Sequence, residues 1–315
     1  MREIINTEQT LGFMKLRKIA AAFSIILLIV SITSLAINKL NFGLDFTGGT
    51  LIEVNFQKPA DLNNIREVMK EADYSDAVVQ AYGTERDVLI RLAPRNNVKA
   101  QELGDQVLQT LRAGIDDKIA VRRIEFVGPN VGDEFVIQGG LAMLVALLSI
   151  LLYIAIRFEW RLAVGAVTAL VHDVIITLGL FSVLGLEFDL TVMAAVLAVI
   201  GYSINDTVVV FDRIRENFRK YSKLTPLQTI NRSLTDTISR TLITSGTTIL
   251  VLLALFFLGG QLIHGFSTAL LFGIFIGTYS SIYIASAVAF WLGVSREDLM
   301  PTEVEKEGAD LDPMP

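Results

Sequence analysis

Long apolar runs alternate with polar segments along this chain. Six runs reach the roughly 20 residues that cross a hydrocarbon core of about 30 Å: 19–37, 137–156, 162–184, 190–211, 241–258 and 265–292. The first is long for the core of a signal peptide, and no small-residue cleavage pattern follows it, so it reads as a retained anchor. Between the first two runs, over 38–136, the period changes. "TLIEVNF" sets Ile52, Val54 and Phe56 against Glu53 and Asn55, the alternation of a strand with one buried face. "DLNNIREVMKEA" then has Asp61 as N-cap and Leu62, Ile65 and Met69 on one helical face. "DAVVQAY" and "RDVLIRL" read as strands joined across "GTE". A second helix spans 98–113 with Val107, Leu108 and Leu111 inward, and "IAVRRIEFV" is the last strand. The order β-α-β-β-α-β is the split-βαβ plan of ferredoxin-like α+β domains. The pattern therefore predicts an α-helical membrane protein with six transmembrane helices and one extracytoplasmic ferredoxin-like domain.

The polar joints add detail. "FGLDFTGG" and "VGPNVG" read as shaped connectors between domain and helices. In 212–240, Leu227, Ile230, Leu234 and Ile238 recur at helical spacing after Thr225-Pro226, which suits a helix start. The segment reads either as a basic amphipathic helix lying along the membrane face or as a positively charged topology anchor. Small residues every fourth position (Gly273, Gly277, Ser281, Ala285 and Ala289 in the sixth run, Ala194 and Ala198 in the fourth, Ala142 and Ala146 in the second) predict close helix packing.

Composition agrees: 52% of the 315 residues are apolar. Lys and Arg number four in residues 1–18, two in "RFEWR" and seven in 212–240, and none in "GLEFD" or "GGQLIHG". The positive-inside rule then sets both termini in the cytoplasm and 38–136 outside, read here as a bacterial inner membrane and its periplasm. The expected division is a cytoplasmic N-terminus 1–18, a first span 19–37, a periplasmic domain 38–136, spans two to six over 137–292, and an acidic cytoplasmic tail over 293–315. The stretch 295–315 holds seven acids and two bases, the composition of a solvated end. The absence of cysteine removes disulfides and thiol chemistry. The charge gives no reason to expect a nucleic-acid partner.

Ionisable residues inside the runs carry the chemistry. Asp173, after His172, sits mid-way along the third run; Asp206 lies in the fourth, about 9 Å from its end at 1.5 Å per residue. Arg240 opens the fifth, at a depth comparable with Asp206. An acid at the centre of a transmembrane helix costs about 2.5–3.5 kcal/mol. It stays neutral unless paired, and a nearby guanidinium opposes that. A site under both influences can be poised to take and lose a proton, with Asp206 as the proton-binding group and Arg240 as its counter-charge. The competing readings are plain ones: Arg240 as a boundary anchor, His172–Asp173 as a structural hydrogen-bond pair, Asp206 as structural. Ser203, Asn205 and Thr207 read as ordinary interhelical hydrogen-bonding groups, and Asp212 as an interfacial partner of Arg213 or Arg215.

"FGLDFTGGT", "VGPNVGDE", "VHDVIIT", "GYSINDTVVVFDRIREN" and "SRTLITSGTT" occur in this order around one outer domain. Together they resemble the SecF family, the smaller subunits of the SecDF accessory complex of the bacterial protein-export translocase, within the resistance–nodulation–division superfamily. The resemblance runs over 11–293. It implies a SecD partner supplying a second six-helix half, work alongside the SecYEG channel with YajC and YidC, and contact with unfolded exported polypeptide and membrane lipids. It implies that proton-motive force draws the polypeptide outward after an ATPase has begun the push, with protons as coupling ion and no other cofactor. It maps Asp206 and Arg240 onto the family's membrane aspartate and arginine, and Asp173 onto its other intramembrane acid.

Two other readings are weighed. A proton-coupled exporter of small molecules or lipids from the same superfamily would carry a large apolar pocket in its outer domain. An intramembrane aspartyl protease would use Asp173 and Asp206 as a proton-sharing pair, although their expected depths differ by about 8 Å. The sequence has no nucleotide-binding loop, Ser-His-Asp order or metal-ligand cluster, and the expectation is a chain that is not an enzyme.

Overall fold

The domain at 38–136 and the helical runs meet at a short, tightly turned junction in the computed structural model of the chain, which describes residues 10–94, 100–116, 118–260 and 263–300. The first nine residues, most of the acidic tail (301–315) and the expected start of the second domain helix at 98–99 lie outside the described residues.

The domain sheet consists of β2 (Gly49–Asn55), β3 (Val78–Tyr82), β4 (Thr84–Leu92) and β5 (Ala120–Val127) in the order β3-β4-β2-β5, all neighbours antiparallel. That is ferredoxin-like pairing. Helices α3 (Leu62–Glu71) and α4 (Ala100–Gly114) cover one face. Asp61 caps α3 by accepting from the Asn63 and Asn64 amides. The alternating residues of the strands and the helical stripes meet in one core, with Ile52, Val54, Ile65, Val107 and Leu111 fully buried.

Helices long and apolar enough to cross a membrane are α1 (Arg17–Ile37), α5 (Pro129–Arg157), α6 (Trp160–Leu184), α7 (Leu190–Lys220), α8 (Pro226–Leu258) and α9 (His264–Trp291). Helices α6, α7 and α9 form the inside of the bundle and α1, α5 and α8 its outside: 61% of the most apolar window of α9 is buried, against 11% for α5. Exposed side chains such as Ile19, Leu152 and Phe257 give the outer surface the apolar character that lipid requires.

Two boundaries differ from the pattern reading. Residues 129–136, read as the end of the outer domain, are the first turns of α5: Pro129 opens the helix, where its missing N–H is harmless, and Gly132 packs against the backbone of Phe46 and Gly48. The segment 212–240 is not a separate helix lying along the membrane face. Helix α7 runs on to Lys220, and Thr225 caps α8 with a capping box, so 221–225 is the only break between two long helices. Polar side chains hold this hairpin together. Arg213 donates to Asp236 at 2.9 Å and to Glu216 at 2.7 Å, and Asn217 donates to Ser233 and Asp236, each at 3.0 Å. Asp212 pairs with Arg157 at 2.7 Å rather than with Arg213 or Arg215.

Of the three small-residue stripes, the one on α9 packs inside. Gly273, Gly277, Ser281, Ala285 and Ala289 are all buried, and a Cβ at Gly273 would sit 2.2 Å from Val199 of α7. Ala194 and Ala198 of α7 and Ala142 of α5 are exposed in the single chain.

The junction is built from "NFGLDFTGG". Strand β1 (Asn41–Phe42) pairs in parallel with β6 (Glu187–Phe188), in the connection between α6 and α7. The single-turn helix α2 (Leu44–Thr47) follows, and Phe46 stacks on Phe188 with ring centroids 6.0 Å apart. Two glycines then turn the chain into β2 with φ of 64° and 120°. At Gly49 a Cβ would also meet the Leu92 carbonyl oxygen, so both positions need glycine.

Candidate functional site

Three inner helices place the two intramembrane acids side by side. Asp173 of α6 and Asp206 of α7 are 1% and 5% exposed. Asp173 Oδ2 accepts from the Ser203 hydroxyl of α7 at 2.5 Å and from the Ser280 hydroxyl of α9 at 2.7 Å. Asp206 Oδ1 accepts from Thr241 of α8 at 3.2 Å, and Oδ2 from Ser281 of α9 at 3.4 Å. Consecutive serines of α9 therefore serve the two acids, and Ser203 and Asp206 are one turn apart on α7. The carboxylates do not hydrogen-bond each other, as a proton-sharing protease dyad would need. Close approach is possible because position 277 is glycine: a Cβ there would come 3.2 Å from Ser203 and 3.5 Å from Asp173 Oδ2. Residues Ser281–Ala285 form a π-helical turn inside α9, an irregularity that recurs at functional sites.

Asp173 also anchors a chain of contacts to α1. His172 Nδ1 lies 2.8 Å from Asp173 Oδ1, and its Nε2 lies 3.0 Å from Ser24 Oγ. Ser24 Oγ is 3.0 Å from the Tyr279 hydroxyl, which donates to the Ala20 carbonyl at 2.8 Å. Four contacts thus run in series from the Asp173 carboxyl through His172, Ser24 and Tyr279 to the Ala20 carbonyl of α1.

Arg240 is not in this cluster. Its side chain is exposed on α8 and forms no ion pair among the described residues, although it is near enough to act on Asp206 electrostatically. Thr244 and Thr247 continue its exposed face, and on the neighbouring α7 Gly201 and Asn205 are exposed beside buried Asp206. Asp206 thus sits just inside a polar, unpartnered seam between α7 and α8. Sequence reasoning assigned Ser281 to packing, treated Ser203 as ordinary and missed Ser280 and Thr241. The small-residue spacing on α9 held a usable signal, since Ser281 is the hydroxyl-bearing position in a stripe of Gly and Ala.

A family profile described as protein export membrane protein SecD/SecF, C-terminal, matches residues 107–295, and one described as the SecD/SecF GG motif matches 33–60, across the two-glycine junction. The Vibrio alginolyticus protein translocase subunit SecF is 58% identical over 315 residues, covering 100% of both chains. The chain belongs to the SecF family. The Escherichia coli O157:H7 SecF is 49% identical over 98% of this chain and 96% of its own. Among solved structures, SecDF from Thermus thermophilus, described as a translocon-associated membrane protein, is 36% identical and superposes with a TM-score of 0.82 over 92% of this chain and 39% of its own longer chain. A SecDF structure in a super-membrane-facing form is 38% identical, with a TM-score of 0.66 over 90% of this chain and 39% of that one. This SecF-family chain is therefore a multi-pass membrane protein of the protein-export class, and its named relatives are protein translocase subunits.

Proposed function

We infer that this chain, with a SecD partner, uses proton-motive force to promote the later stages of protein export through the Sec channel. Asp206 is the group that exchanges the proton, and Arg240 is the counter-charge that responds to its state. The observation that carries this is the contrast between the two buried acids. Asp173 is held by hydrogen bonds of 2.5–2.8 Å, whereas Asp206 has only two hydroxyl contacts of 3.2 and 3.4 Å. Asp206 can change charge without breaking a network. His172 and Asp173 belong to the same coupling site, and the pair ties α1 to the bundle through Ser24.

The polar seam of α7 and α8 supports a SecD half as the covering surface, because Arg240, Thr244, Thr247 and Asn205 are poorly suited to lipid tails. The charge pattern supports an inner-membrane orientation with cytoplasmic termini and a periplasmic domain. SecYEG, YajC, YidC and the exported polypeptide remain the expected wider partners. A small-molecule exporter fits less well: the cavity of about 570 Å³ between domain and helices is lined by Asp45, Arg123, Glu125 and Glu187 as well as by apolar residues.

Membrane vesicles that carry this chain, SecD and the channel test the reading. After an ATP-driven start, the chain should speed completion of export when a proton gradient is present, and an uncoupler should remove that stimulation. Equal stimulation with and without the gradient contradicts it.

A further inference from the structure

Helix α7 carries Asp206 seventeen residues beyond Asp189, its N-cap, about 25 Å along an unbroken helix. At that N-terminus the helix is gripped by the outer domain. Arg91, on β4, donates from Nη1 to the Phe42 carbonyl at 2.8 Å and from Nη2 to Glu187 Oε1 at 2.5 Å. Phe42 and Glu187 are on the paired strands β1 and β6, and Gly43 N–H donates to the Phe188 carbonyl at 2.8 Å. Three residues after Phe42, Asp45 accepts from the Leu190 N–H at 3.0 Å, while Asp189 accepts from the Val192 N–H at 2.8 Å. One short segment thus holds the arginine of the sheet and caps the proton-bearing helix.

We propose that Arg91 is the positioning residue through which the outer domain follows α7. This rests on the reading of Asp206 as the proton-binding group. Among the described residues, Arg91–Glu187 is the ion pair that bridges the domain sheet and the helix connections. The pair is largely shielded, with side-chain exposures of 13% and 31%. A guanidinium can grip a carbonyl and a carboxylate at once, which the single ammonium of lysine cannot do in the same geometry. The surroundings also need that cation. Burial raises the pKa of Glu187, Arg91 opposes the rise, and the charges of Asp189 and Asp45 add to it. Without Arg91, Glu187 would keep the repulsion of Asp189 and Asp45 and lose its ion-pair partner, and the domain would lose its fixed orientation on α7.

The chain has no cysteine, so within it thiol labels attach only where cysteines are introduced. Exposed Lys58 in the domain and Leu184 at the end of α6 are changed to Cys and spin-labelled in the assembled complex. The distance between them should have one narrow distribution in the parent and a broad one in Arg91→Glu. Gradient-stimulated export should fall about tenfold, while SecD co-purification and gradient-independent export stay unchanged. Arg91→Lys should fall between parent and Arg91→Glu, and Arg91→Glu/Glu187→Arg should recover part of both readouts. An unchanged distance distribution in Arg91→Glu overturns the proposal. So does a broadened distribution with undiminished gradient stimulation, or an equal loss of gradient-independent export. If the parent shows no gradient stimulation at all, the reading of Asp206 fails. The distance measurement then still decides whether Arg91 holds the domain.

Discussion

Asp206→Asn removes the gradient-dependent part of export and leaves assembly with SecD intact. The amide has nearly the volume of the carboxyl, and its oxygen can still accept from Thr241 or Ser281, so the helices keep their packing. What it lacks is a titrating group. Moving one proton through 100 mV is worth about 2.3 kcal/mol, on the order of a 50-fold bias between two conformations. Export by the variant should match that of the parent with its gradient collapsed. The measurement is export completion in vesicles with and without an uncoupler, beside co-purification of SecD. Variant vesicles that keep the parent's full uncoupler sensitivity would show that the exchanging group lies elsewhere.

Asp173→Ala should have the largest effect on stability. It strips the acceptor from the Ser203 and Ser280 hydroxyls and from His172, all buried. Removing one partner of a buried charged network costs about 3–5 kcal/mol, and the link from α6 through His172 and Ser24 to α1 goes with it. Thermal unfolding of the purified complex should start at markedly lower temperature. Asp173→Asn, which keeps an acceptor oxygen, should fall between the two. A complex that melts like the parent with Ala at 173 would mean that the network contributes little to the fold.

The parts legible in the sequence were those set by periodicity. Ile52, Val54 and Phe56 announced a strand and Ile65 and Met69 a helix because burial on one face imposes a period of two or of 3.6, and those residues are the core of the domain. Asp206 and Asp173 stood out because acids are rare in apolar runs. The hairpin at 212–240 was harder to see. Charged residues there looked like an interfacial helix, yet they pair across two helices, as Arg213 does with Asp236, and local pattern does not encode a partner helix. Ser280 and Thr241 were hidden for a similar reason: a hydroxyl in a transmembrane helix usually bonds its own backbone, and only packing shows which ones reach a carboxylate. Arg240 was expected to reach Asp206, whereas in the single chain its side chain lies on the outer face of α8.

Infrared difference spectroscopy of the assembled complex across a pH step reads the Asp206 proton directly. A carboxyl C=O band should change intensity with pH in the parent, be absent from Asp206→Asn, and change its midpoint in Arg240→Ala. Superimposable difference spectra for the parent and Asp206→Asn would contradict the assignment of the coupling proton to this residue.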